Sequence, residues 1–145
     1  MVGTEKPICQ INSSRLFLAW LSSQNASLAF TTYQANKLFL VGTTNENKLS
    51  VFERTFNRCM GLAVRGTQFW MSNLYQLWRF ENFLDLGQLS NGYDAMYIPV
   101  SGHTTGDIDI HDIHIREDGT PLFVNTSFNC LATLGPRFSF KPVWK

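Results

Sequence analysis

The sequence predicts an all-β chain: a partial β-propeller of about three antiparallel blades, behind a short N-terminal helix. Three observations lead there. Short stretches rich in Val, Ile, Phe, Tyr, Trp and Thr alternate with turn residues. A pattern of strand, tight turn, aromatic-centred strand, polar break and strand recurs three times. Aromatic residues reach 14% while charged ones are only 16%, below the usual quarter. A meander of this size cannot bury both of its faces alone, and stacking neighbours face to face buries them. An antiparallel sandwich or barrel without a true repeat is the alternative architecture. The expected organisation is a flexible arm over 1–12 and one β-meander repeat domain over 13–145. Its blades are expected at 26–58, 59–105 and 106–145.

The elements follow in order. Ser13 or Ser14 is placed to cap a short helix ending near Ser22, since Leu16, Trp20 and Leu21 fall near helical spacing. Residues 27–33 read as a strand, 34–36 as a turn, and 37–42 and 48–54 as two more strands. Residues 60–64, 68–72 and 76–80 repeat the pattern. Residues 93–98 are expected to form an outer fourth strand, with Pro99 suiting an edge. The third meander runs through 113–115, a hairpin signal at Glu117-Asp118-Gly119, then 122–125 and 130–134. Phe39, Trp70 and Phe123 are read as matching positions in the second strands, at an average interval of roughly 40 residues, one blade.

The stretch GDIDIHDIHI, residues 106–115, carries isoleucine at 108, 110, 113 and 115. Residues two apart on a strand share a face. The four isoleucines change parity after His111, so a bulge or break is expected at His111-Asp112.

That stretch also supplies the candidate metal ligands. Asp109, His111 and Asp112 are candidates for a divalent metal at the innermost strand, because carboxylate and imidazole side chains two apart can share one ion. The structural alternative is a solvated strand face, with His111 hydrogen-bonded and Asp112 tying down a loop. His111, Asp112, Asn125 and Asn73 are candidate ligand-binding residues. For the asparagines, the alternative is turn chemistry, in which Asn bonds its own backbone. His114, between isoleucines, and His103, in a loop, lack partners that would give them a role.

Several classes are excluded by what is missing. Lys plus Arg number 12 and Asp plus Glu 11, for a net charge of +1 with no basic block, so nucleic acid is not an expected partner. The longest early apolar run, residues 16–21, is far shorter than the roughly 20 residues needed to cross a bilayer. No apolar run follows a basic start, so a secretory signal is not expected. Cys9, Cys59 and Cys130 are widely spaced without a paired ligand motif, and suit thiols in a reducing, cytoplasmic compartment. There is no serine elbow and no phosphate-cradling glycine loop.

Several strings resemble, in order, a bacterial family of conserved hypothetical proteins, domain of unknown function 4915. They are SLAFTTYQ at 27–34, VFERTF at 51–56, MGLA at 60–63, YQLWRFEN at 75–82, TGDIDIHD at 105–112 and FVNTSFNCLATL at 123–134. The resemblance spans roughly 15–145 and implies a propeller-like fold, with no transferable catalytic residues. It also implies that the chain matches the N-terminal part of longer members. The function expected is a non-catalytic propeller-type binding module within a larger ring, taking a protein, peptide or glycan, without a cofactor. The alternative is a metal-dependent hydrolase or lactonase with its site at the propeller mouth. Exposed blade edges invite self-association.

Overall fold

The computed structural model describes residues 11–145, so most of the arm expected over 1–12 lies outside the described residues. It opens with helix α1, Phe17–Ser23, which buries Leu21 and leaves Leu16 and Trp20 exposed. The expected serine cap is corrected. Leu16 holds the N-cap position with no side-chain cap, and Ser14 only accepts the Phe17 amide on its backbone carbonyl at 3.1 Å. Packing of Leu21 against a sheet therefore holds this short helix, as expected where about two turns of propensity are too little by themselves.

Eleven strands follow in three antiparallel sheets. The first sheet holds β1 (Leu28–Thr32), β2 (Lys37–Thr43) and β3 (Leu49–Thr55), in that order. The second holds β4 (Leu62–Arg65), β5 (Gln68–Ser72), β6 (Gln76–Asn82) and β7 (Tyr97–Thr104). The third holds β8 (Ile110–Ile115), β9 (Pro121–Asn125), β10 (Cys130–Thr133) and β11 (Lys141–Trp144). Each sheet is a meander in chain order, and no strand crosses between sheets. This is a partial propeller of three antiparallel blades. The outer fourth strand of the middle blade lies later than expected, at Tyr97–Thr104 rather than 93–98. Pro99 therefore sits inside it, opposite Phe80, where the register slips between Arg79 and Phe80. An edge strand with a bulge tolerates the missing amide.

Strand direction corrects the expected repeat. A four-stranded meander finishes at the end where it began, and a three-stranded one finishes at the opposite end. The Phe56 amide, just after β3, bonds the carbonyl of Asn36 in the β1–β2 turn at 2.9 Å. The chain thus enters β4 at the end where β1 stopped. So β4 and β8 run the same way, and β1 runs against them, like β5 and β9. The first blade holds the second, third and fourth strands of the pattern. Phe39, on β2, is consequently a third-strand residue and does not match Trp70 and Phe123. Side-chain direction separates those two as well. Trp70 packs with Leu77 against the third blade, while its neighbours Phe69 and Met71 face the first.

Two apolar layers lie between the sheets. Leu38, Phe69, Met71, Phe80 and Cys59 fill the first junction. Trp70, Leu77, Phe123, Ala132 and the four isoleucines fill the second. The expected bulge is present. Ile110 pairs with Asn125 and Ile113 with Phe123, so one extra residue lies on β8 between them. The parity change brings all four isoleucines to the dry side, each at most 6% exposed.

The start of β8 also turns a carbonyl away from β9. Ile110 turns its oxygen towards the second blade, where the buried Ser72 hydroxyl donates to it at 2.9 Å and the Gly61 amide reaches it at 3.4 Å. Ser72 Oγ accepts from that same Gly61 amide at 2.9 Å. A Cβ on Gly61 would stand 3.0 Å from Ile113 Cγ1 and 3.3 Å from two backbone atoms of the third blade. Thr31 repeats the device at the first junction, donating to the Met60 carbonyl at 2.5 Å.

Two measurements check this junction. Ser72→Ala leaves the Gly61 amide and the Ile110 carbonyl only their long 3.4 Å contact with each other, so urea unfolding should show a loss of about 1–3 kcal/mol. Gly61→Ala, which pushes the blades apart, should lose a similar amount, about 1–3 kcal/mol. The Cys59 thiol is fully buried and burial raises its pKa above the ordinary thiol value. Because the thiolate is the nucleophile, iodoacetamide at pH 8 followed by peptide mapping should leave Cys59 unlabelled until denaturant is added.

Candidate functional site at the polar end of the blades

The turns β1–β2, β5–β6 and β9–β10 and the entries to β4 and β8 gather at one end of the row. The Leu74 amide bonds the Asn57 carbonyl and the Thr105 amide bonds the Tyr75 carbonyl, which fixes this end together. All of the sequence-predicted site residues lie on strands or turns near it.

The organising residue is Arg58, between β3 and β4. Its Nε donates to the Tyr33 hydroxyl at 3.1 Å and its charge lies over the Tyr33 ring, 5.4 Å from the centroid. The guanidinium also meets Asp107 at 3.1 Å and Asp109 at 3.3 Å. The other oxygen of Asp109 meets His111 Nε2 at 3.1 Å. Arg58 thus joins the first blade to the entry of the third. The hydrogen bond to Tyr33 raises its pKa above the ordinary guanidinium value, burial opposes this, and the Asp107 charge adds to it. Arg58 therefore stays cationic at every working pH.

Both anchors of this network have left-handed backbones. Arg58 has φ of 49° and Asp109 has φ of 51°. Asp reaches this region with little difficulty, whereas a long side chain such as Arg rarely does. Asn36 compensates, because its Oδ1 accepts the Arg58 amide at 2.7 Å.

The predicted residues sort as follows. Asp109 and His111 are adjacent, joined to Arg58. Asp112 points elsewhere, and its Oδ1 accepts the amide of Ile113 at 2.8 Å. Asn73 accepts the amides of Tyr75 and Gln76 on Oδ1, at 3.2 and 2.8 Å. Asn125 is fully buried, and its Oδ1 accepts the Phe128 amide at 3.1 Å. Both asparagine carbonyls hold turns. Asn73 also borders a shallow depression shared with Arg58, Ser72, Asp107, Asp109 and Ile110. Among the described residues, no three His, Cys, Asp or Glu side chains converge on a common point as a metal site requires.

Arg58 and Tyr33 were not legible as site residues. Arg58 is 49 and 51 positions from its two carboxylates, and no local spacing signals a contact of that range. A lone cation between Phe56 and Met60, on the approach to a strand, is the one trace it leaves in the sequence.

The network is half exposed, with Arg58 and Asp107 side chains at 34% and 47%, so salt should screen it. Asp109→Asn retains a residue suited to positive φ while removing the charge. Its unfolding midpoint should shift much less than that of Ser72→Ala, and the difference from wild type should shrink further in 1 M salt.

Among the described residues, no helix is long and apolar enough to cross a membrane. No curated protein and no solved structure shows a match to this chain. The model of one family, described as domain of unknown function (DUF4915), matches residues 15–145. That match covers nearly the whole chain, and its end points are those over which the strings above resemble the family. The chain belongs to the domain of unknown function (DUF4915) family.

Proposed function

We propose that this chain is a non-catalytic, propeller-type binding module, part of a larger ring, whose polar end receives a protein, peptide or glycan. One observation carries the reading. Tyr33, Arg58, Asp107, Asp109 and His111 form a single network in which each charge already has a partner and the backbone is fixed by turns. His111 and Asp107 nonetheless present about half of their side-chain surface to solvent. Such an array offers preorganised donors and acceptors beside a shallow depression, which is what a polar surface partner needs. The near-neutral charge gives no electrostatic reason for nucleic acid to bind. Cys59 and Cys130, both buried free thiols, support a reducing, cytoplasmic setting.

The competing reading is a metal-dependent hydrolase or lactonase using Asp109, His111 and Asp112. It would require Asp109 to leave Arg58 and Asp112 to turn away from the Ile113 amide. The two readings separate in one set of measurements on the purified chain. Peptide and glycan arrays should yield a ligand whose binding falls at least ~10-fold, about 1.4 kcal/mol, in Arg58→Asn with an unchanged circular dichroism spectrum. Stoichiometric metal that disappears in the His111→Ala, Asp112→Ala double variant, with the fold intact, would establish the hydrolase instead.

A further inference from the structure

The first blade has an unfilled place. In the second and third blades the strand beside the axis is β4 or β8, and the two pack against each other. By strand direction, β1 is the counterpart of β5, the second strand. The inter-blade hydrogen bonds agree. Thr31, on β1, donates to the carbonyl of Met60 at the entry to β4, as Ser72, on β5, donates to the carbonyl of Ile110 at the start of β8. So β1 stands where a second strand stands, and among the described residues nothing takes the position inside it. Among the described residues, β1 pairs in the sheet with β2 alone.

We propose that the inner edge of β1 is a strand-acceptor site. It takes a separate extended polypeptide segment, antiparallel to β1 and aliphatic on the side turned to the layer between sheets. The chemistry follows from the two strands that fill the same place elsewhere. β4 and β8 bring Leu62, Ile110, Ile113 and Ile115 into the layers between sheets. Helix α1 does not occupy the place, since it lies on the broad face of the first sheet, where Leu21 packs with Phe39 and Val41. Leu28 and Phe30 on β1 remain 36% and 44% exposed. Exposed backbone donors and acceptors on a strand edge supply the affinity in this mode, and alternate side chains supply the selectivity. Every described strand is already paired within its own sheet, so a second copy would have to give up one of its own strands to fill the place.

The inference rests on the reading of the chain as part of a larger ring, and not on what binds at the polar end. Amide hydrogen exchange on the dilute chain tests it directly. The edge strand β1 should exchange at least ~100-fold faster than β5, which is flanked on both sides. A synthetic peptide copying residues 106–115, which fill the equivalent place in the third blade, should slow exchange of Leu28–Thr32 at least ~10-fold. The same peptide N-methylated at alternate amides should have no effect, because it cannot form the ladder. Equal protection of β1 and β5 in the chain alone would overturn the proposal, as would equal protection by the N-methylated peptide or none by the parent peptide. Protection of β1 that rises with protein concentration and needs no peptide would assign the edge to a second copy, and would also overturn it. Failure here leaves the array measurements on Arg58→Asn untouched, so the two ideas can fail separately.

Discussion

One extra residue in β8 governs much of this structure. A regular strand shows alternate residues to opposite sides, so Ile108 and Ile110 cannot share a face with Ile113 and Ile115 unless the count is broken. The bulge breaks it. All four isoleucines then reach the dry layer against Trp70 and Leu77. At the start of β8 the Ile110 carbonyl also faces away from β9, towards Ser72 and Gly61. A packing requirement and a polar link between sheets are thus met at one site. The absence of a side chain at Gly61 is part of that solution, because the neighbouring sheet stands too close for a methyl group.

The polar end is built on the same junctions. Strands that enter at one end bring their loops there, and the loops carry Arg58, Asp107 and Asp109. Arg58 links elements that are distant in sequence and adjacent only because the blades stack. Its worth to stability is small, since exposed pairs gain little in water. Its effect is in geometry. A guanidinium anchored on a tyrosine and two carboxylates presents its remaining surface in a fixed orientation.

Some of this was legible in the chain itself, and particular residues show why. The isoleucine parity in residues 106–115 revealed the bulge, because periodicity of two is a local rule that sequence obeys. The recurring meander revealed three sheets for the same reason. The helix cap was misjudged because Ser13 and Ser14 have the right chemistry while the chain turns into the helix only at Leu16. The matching of Phe39 with Trp70 failed for a deeper reason. A strand's rank within its blade depends on which end the chain enters from, and no residue of the strand itself records that.

By itself the sequence determined most of the strands, the dry side of residues 106–115 and the turn chemistry of Asn73 or Asn125, because all of these depend on neighbours within a few positions. Tertiary structure alone decided that Tyr33, Arg58, Asp107, Asp109 and His111 form one network, and that among the described residues nothing pairs with the inner edge of β1. Contacts of this kind depend on how whole sheets stack and on the direction in which each one runs. Those are fixed by burial summed over many side chains, and no short run of residues encodes the sum.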